Sequence, residues 1–280
     1  MSGNPVLVSD PVLPLGSHWL GAVFELTKIH LSLYIALSAV FGHILAQNKF
    51  FMGSLGLGGL VLILTAGSAI FNHIQDRKFD PWFVRTRNRC LVQKRIIPST
   101  AGLVAAGLGT YGPWRSFLSF SRPGNGRPGA FALFCYNALY TPLKKISLGA
   151  IVPGALCGML PPAIGCVAVP KEMAVADVTG LFIVMLIFGV WQIPHFFIIL
   201  LKQLPGELEA APFPSFLRIF SRQEIKGQVL IWTSLYSLGL PLLMAAILGW
   251  KQKSPSISLC FFAINLAMLI FMGVGILDRI

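Results

Sequence analysis

Long runs of apolar residues follow one another along the whole chain, and short polar or Gly- and Pro-rich stretches separate them. A membrane-spanning helix needs about 20 predominantly apolar residues. We therefore predict helices over residues 26–46, 53–75, 98–118, 127–142, 148–168, 177–201, 227–249 and 256–277. The pattern indicates an all-α polytopic membrane protein, with a cytoplasmic N-terminal segment over residues 1–25 and a single transmembrane domain over residues 26–280.

Composition supports a membrane protein and argues against a soluble one. The chain is 55% hydrophobic and 11% charged, with a mean hydropathy of +0.74, whereas soluble domains carry about 25% charged residues. Alternating loops place 15 of the 22 basic residues, Arg279 among them, on one side of the predicted bundle. Since Lys and Arg concentrate in cytoplasmic loops, the net charge of +12 reflects orientation in a bilayer, with no nucleic acid partner.

The most informative polar stretch is FNHIQDRKFDPWFVRTRNR, which follows the second predicted helix. Asn72, Asp76 and Asp80 are four residues apart, so on one helix they would share a face. Carboxylate and amide oxygens suit Mg²⁺, and neighbouring arginines suit a phosphate-bearing ligand. The alternative is a solvated charged loop. We favour a magnesium–diphosphate site at the cytoplasmic surface.

Three further motifs fall on the same predicted face. YNALYTPLKK places Tyr140 and Lys144 one helical turn apart, and WQIPHF places His195 inside an apolar helix. An ionisable residue in such a helix usually faces a cavity, although His195 alone could simply satisfy a hydrogen bond. The loop after this helix contains Glu207 and Glu209, either a second acidic motif or a solvated loop.

With these segments in view, the sequence resembles the UbiA superfamily of intramembrane prenyltransferases and, within it, the protohaem IX farnesyltransferases. The resemblance rests on NHIQDRKFDPWFVRTRNR, YNALYTPLKK and WQIPHF, which occur in the expected order. It implies a bundle of about eight or nine helices around a central cavity. Glu207 stands in the place of the Asp or Glu of that family's second acidic motif, with Leu208 in place of the following tyrosine.

The resemblance also implies an activity: farnesyl transfer from farnesyl diphosphate to a vinyl group of haem B, with Mg²⁺ as cofactor. The implied partners are the lipid bilayer and haem A synthase or terminal-oxidase assembly proteins, and the implied location is a bacterial inner membrane. The implied catalytic and metal-binding residues are Asn72, Asp76, Asp80 and Glu207. The implied substrate-binding residues are Arg77, Arg87, Arg89, Tyr140, Lys144, Trp191, Gln192 and His195.

Two other hypotheses stay open at this point. A prenyltransferase of the same superfamily could use another aromatic acceptor, such as a quinone precursor. From a different class, a non-catalytic haem carrier or assembly factor of the same fold would explain the altered acidic motif around Glu207.

Overall fold

The chain folds into a helical bundle, seen in a computed structural model that describes residues 19–119, 127–170, 178–207, 211, 213–237 and 257–279. No strand occurs in these ranges, so the all-α prediction is confirmed. The helices are α1 Trp19–Thr27, α2 Ile29–Gln47, α3 Met52–Asp76, α4 Pro98–Ser119, α5 Arg127–Leu133, α6 Thr141–Leu143, α7 Ile151–Ala168, α8 Val178–Leu201, α9 Arg222–Ser237 and α10 Ile257–Leu277. A π-helix, Phe134–Tyr140, joins α5 to α6.

Five helical segments in the described ranges are long and apolar enough to cross a membrane: Ile29–Gln47, Met52–Asp76, Leu148–Ala168, Val178–Leu201 and Cys260–Leu277. Their mean hydropathies lie between 1.7 and 2.4. Each coincides with a predicted span to within a few residues. The predicted span over 227–249 extends past Ser237 into residues outside the described ranges, and the number of eight spans stays a prediction.

The prediction of one helix over residues 26–46 is wrong, because this region belongs to two helices, α1 and α2. α1 ends at Thr27, and Lys28 has a left-handed backbone conformation with φ 46° before α2 begins at Ile29. Residues 19–25 belong to the fold: Ala22 is buried, and the Glu25 carboxylate accepts a hydrogen bond from the Cys90 amide at 2.9 Å. The break turns Lys28 away from the path of a continuous helix.

The predicted position of Arg279, on the same side as Asp76, is also wrong. The amide of Phe50 donates to the carbonyl of Arg279 at 3.1 Å. Phe50 precedes α3, whose far end carries Asp76 about 37 Å away at 1.5 Å per residue. Helix α10 therefore ends opposite Asp76. Counting eight alternating spans had predicted that α10 ends on the same side of the bundle as Asp76.

Small residues bring the helices around the centre of the bundle close together. A Cβ atom added to Gly42 of α2 would overlap the carbonyl of Pro162, and one added to Gly165 of α7 would overlap the carbonyl of Ala39. Close backbone approach at small residues is a common way for membrane helices to pack. The contact fixes α2 against α7, two of the walls of the central cavity.

Candidate active site

A cavity of about 710 Å³ opens between α2, α3, α7 and α8. This volume lies within the range of ordinary ligand pockets. Most of the lining is apolar or aromatic, and the charged groups gather around α3 and the turns beside it. The charged residues that line it are Lys28, Asp76, Asp80, Arg85, Arg89, Lys144, Lys145 and Lys202.

Asp76 is at the centre of the charged part. It ends α3, is 8% exposed, and its Oδ2 lies 2.6 Å from Lys144 Nζ. Lys145 Nζ lies 3.0 Å from Oδ1. Burying a carboxylate is costly unless a cation neutralises it, and the two lysines supply that charge.

Asp80 lies in the same cavity, but it does not share a helix face with Asp76. A proline inside a helix lacks the amide donor and clashes with the carbonyl four residues earlier, so α3 does not continue through Pro81. Asp80 begins a separate 3₁₀ turn, Asp80–Trp82, and its two oxygens accept from Arg89 at 2.8 and 3.0 Å. The prediction of one shared helix face is therefore wrong, and the two carboxylates reach the same cavity from two different elements.

Asn72 lies one turn before Asp76 and joins the same network. Its Nδ2 donates to Asp76 Oδ2 at 3.0 Å, and its Oδ1 accepts from Lys28 Nζ at 2.7 Å. Burial, followed by the positive charges of Arg89 and Lys144, lowers the pKa of Lys28 to about 7. Sequence reasoning did not place Lys28 in the site. The sequence feature that could have indicated this role is a cation placed between two apolar helical segments.

The π-helix and the turn after α6 position the predicted residues of the YNALYTPLKK motif. Tyr140 and Lys144 both line the cavity, as their spacing predicted. Tyr136 lines it too, with its ring centroid 5.6 Å from that of Tyr140, and sequence reasoning missed it. Asn137 fixes the π-helix against α3, because its amide donates to Ser68 O at 3.0 Å and its Oδ1 accepts from the Ser68 hydroxyl at 2.6 Å. π-Bulges of this kind are frequent at functional sites.

Helix α8 forms an aromatic wall on the other side of the cavity. Trp191 donates from Nε1 to the carbonyl of Ile264 at 3.1 Å, which fixes its ring. His195 stacks on Trp191 at 4.9 Å and lies 5.4 Å from Phe261. Gln192 also lines the cavity. All three predicted residues of the WQIPHF motif therefore reach the cavity.

Glu207 is not brought to the other acidic residues. It is absent from the cavity lining, and its Oε1 and Oε2 accept from the backbone amides of Val84 and Leu204 at 2.7 and 2.8 Å. The side chain thus joins the loop after α3 to the loop after α8. Glu209 lies outside the described residues.

Of the three arginines that were predicted to bind substrate, one reaches the cavity and two do not. Arg89 lines the cavity, whereas Arg77 and Arg87 do not. Arg77 instead donates to the carbonyl of Ile74 at 2.7 Å, near the end of its own helix. Arg85 and Lys202 line the cavity, and the sequence analysis assigned neither to the site. Nothing in the irregular segment RTRNR distinguishes Arg85 from the other two arginines.

The oxygen groups fit a magnesium ion that is shared with a phosphate ligand. No cluster of three or more His, Cys, Asp or Glu side chains occurs within the described ranges. Mg²⁺ usually takes one or two carboxylates together with substrate phosphates and water. Asp76 Oδ1 is buried and forms an ion pair with Lys145 at 3.0 Å, so a lone pair of this oxygen is left for such an ion.

Comparison with known proteins gives a consistent result. The model of the UbiA prenyltransferase family matches residues 33–273. A protoheme IX farnesyltransferase of Oleidesulfovibrio alaskensis is 27% identical, with 93% of this chain and 97% of that protein covered. Protoheme IX farnesyltransferase 1 of Pseudomonas putida is 30% identical, with 88% and 80% covered.

Solved structures agree in fold. A UbiA homologue from Archaeoglobus fulgidus bound to GPP and Mg²⁺ superposes with a TM-score of 0.60 at 13% identity, covering 90% of this chain and 86% of that one. A digeranylgeranylglyceryl phosphate synthase gives a TM-score of 0.58 at 18% identity, covering 92% and 98%. At these identities the likeness concerns the fold alone.

Proposed function

Because this chain belongs to the UbiA prenyltransferase family, we propose that it transfers a farnesyl group from farnesyl diphosphate to a vinyl group of protohaem IX, giving haem O. The observation that carries the proposal is one cavity of about 710 Å³ with carboxylates and lysines at one side and a stacked aromatic wall at the other. The relatives named protoheme IX farnesyltransferase support the choice of acceptor.

The diphosphate end of the donor would bind at the charged side. Asn72, Asp76 and Asp80 would hold Mg²⁺, which supplies positive charge to the departing diphosphate when bound. The lysines and Arg89 that pair with these carboxylates would turn to the phosphate oxygens, since charge-assisted hydrogen bonds to phosphate are strong. These cations would thus exchange a carboxylate partner for a phosphate partner when the ligand binds, and the net charge of the protein would stay the same.

The isoprenoid tail would lie against the apolar lining, among residues such as Val61, Leu64 and Ile164. When the allylic C–O bond breaks, the farnesyl cation must be kept from bulk water until it is captured. The faces of Tyr136 and Tyr140 border the same space, and aromatic faces attract cations. The side chains therefore protect the reactive carbon and do not have to attack it.

The acceptor would lie along the aromatic side chains of α8. In the reaction the terminal vinyl carbon of the porphyrin forms a C–C bond to C1 of the farnesyl group. Water then adds at the other vinyl carbon and loses a proton, which leaves a hydroxyethylfarnesyl substituent. His195 lies between Trp191 and Phe261, where it would orient the porphyrin or bind its iron.

The cellular setting follows from the same proposal. The basic mouth of the cavity would face the cytoplasm of a bacterial inner membrane, in line with the positive-inside rule. Haem A synthase or terminal-oxidase assembly proteins would receive the product.

Purified protein in lipid nanodiscs tests the proposal directly. With Mg²⁺, farnesyl diphosphate and protohaem, we expect a product whose mass exceeds that of haem by one farnesyl group and one hydroxyl group. The variant Asp76→Asn is the matched control and should give no product. Transfer to a quinone-precursor aromatic acid, with protohaem left unmodified, would replace the proposed acceptor and retain the family activity.

A further inference from the structure

Two cations at the mouth of the cavity have no acidic partner within 4 Å among the described residues. They are Arg85, in the loop after α3, and Lys202, the residue that follows α8. The other basic groups of the site pair with Asn72, Asp76 or Asp80. Neither cation forms an ion pair with Asp76 or Asp80, although Asp80 and Arg89 both influence the pKa of Arg85 after burial. Arg85 and Lys202 therefore lie beside the network that would receive the diphosphate.

The fold holds these two cations at one place. The Glu207 carboxylate accepts from the amides of both Val84 and Leu204. One side chain therefore joins the loop that carries Arg85 to the loop that carries Lys202. The positive charge of Arg85 contributes, after burial, to lowering the pKa of Lys202, as expected for two like charges at one mouth.

The aromatic wall leads to the same place. The rings of Tyr34, Trp191, His195 and Phe261 follow one another with centroid separations of 5.6, 4.9 and 5.4 Å. The ammonium of Lys202 lies 3.6 Å from the centroid of Phe261. Because these rings stack on one another, a flat ligand would lie along their edges. One edge of the ligand would then be beside Lys202.

We propose that Arg85 and Lys202 bind the carboxylates of the acceptor and so fix which edge of a planar aromatic acid enters the cavity. The ligand class is a flat aromatic molecule with carboxylates along one edge, and the two porphyrin propionates meet this description. The inference rests on the proposed function and adds the acceptor's orientation to it. With its carboxylates at the mouth, the opposite edge of the acceptor points toward the interior.

The experiment compares protohaem with its dimethyl ester, in which both carboxylates are neutral. Binding to full-length protein in nanodiscs is followed by haem absorbance, with empty nanodiscs correcting for partition into lipid. We expect wild type to bind the acid at least about five-fold more tightly than the ester, the scale for two partly exposed ion pairs. Lys202→Met should reduce this ratio, and Lys202→Glu should bring it to one or below.

Lys78→Glu is the matched control, because Lys78 is an exposed lysine of a neighbouring loop that does not line the cavity. It should leave the ratio unchanged. Each variant should also bind a non-reacting farnesyl thiodiphosphate within about two-fold of wild type, which shows that the fold and the donor site are intact.

Two results would overturn the inference, and they are distinguishable. If Lys202→Glu keeps the wild-type preference for the acid, the carboxylates bind elsewhere and the proposed function stands. If wild type binds neither protohaem nor the ester while it binds the thiodiphosphate, the proposed acceptor is wrong and the carboxylate anchor is withdrawn with it.

Discussion

The ammonium of Lys144 lies 2.6 Å from Oδ2 of Asp76, so a residue of the turn after α6 neutralises the last residue of α3. The two residues are 68 positions apart in the sequence. This pair joins the helix that would hold the metal to the segment that would hold the phosphates. A ligand that carries both a metal and a phosphate would satisfy both partners at once.

Lys144→Met should therefore weaken donor binding and slow transfer. A hydrogen bond to a charged group is worth about 1.5–3 kcal/mol, which corresponds to a loss of about ten- to a hundred-fold in kcat/KM for farnesyl diphosphate. Steady-state transfer in nanodiscs measures this. Lys78→Met, on an exposed lysine outside the cavity, is the control. Unchanged kinetics in Lys144→Met would remove this residue from the donor site.

The pKa of Lys28 gives a pH prediction. Because this pKa is lowered to about 7, Lys28 is charged below pH 7 and increasingly neutral above it in the free protein. An anionic ligand favours the charged form, so the Lys28 contribution to diphosphate affinity should fall as pH rises from 7, by at most ten-fold per pH unit. Lys28→Arg keeps its charge. The difference between the pH profiles of wild type and this variant, measured as Kd for farnesyl thiodiphosphate, isolates Lys28, and identical profiles would contradict the prediction.

Glu207→Gln distinguishes a loop contact from a metal ligand. Since both carboxylate oxygens accept from backbone amides at an exposed contact, the variant should lose part of the activity and about 0.5–1.5 kcal/mol of stability. The Mg²⁺ concentration for half-maximal activity should stay the same. A several-fold rise in that concentration would indicate that Glu207 binds the metal, and it would contradict the prediction that this side chain only joins two loops.

Gly158→Ala should disturb the aromatic wall. A Cβ atom at this position would lie 2.5 Å from Cγ of Gln192 and 2.9 Å from the carbonyl of Phe188. Overpacking of this kind costs about 1–3 kcal/mol, and we expect a lower melting temperature with a higher KM for protohaem. Gly107→Ala on α4, where nothing lies within 4 Å of the new Cβ, is the control and should not be destabilising. Equal behaviour of the two variants would refute the role of this contact.

The sequence predicted the spans well because apolar length is a property of the chain itself. The family resemblance implied that Asn72, Asp76, Tyr140, Lys144 and His195 would surround a central cavity, and the structure places all five in its lining. Helical periodicity relates only neighbours on one helix, such as Asn72 and Asp76, because it carries no information about which helices pack together.

Prediction failed where the chain leaves regular helix. Asp80 departs from the helix face because Pro81 prevents α3 from continuing. Lys28 has a left-handed backbone conformation, and Arg85 lies in an irregular loop. Neither position follows from a helical or strand periodicity in the sequence. The direction of α10 could not be read from its own sequence, because it depends on how the preceding segments cross the bundle.

The most direct test of the central claim is pigment extraction from cells that lack their own haem O synthase and express this protein. We predict that haem O accumulates with wild type, and that only haem B is found with the double variant Asp76→Asn and Asp80→Asn at equal membrane abundance. Haem B alone from membranes that contain folded wild-type protein would contradict the account.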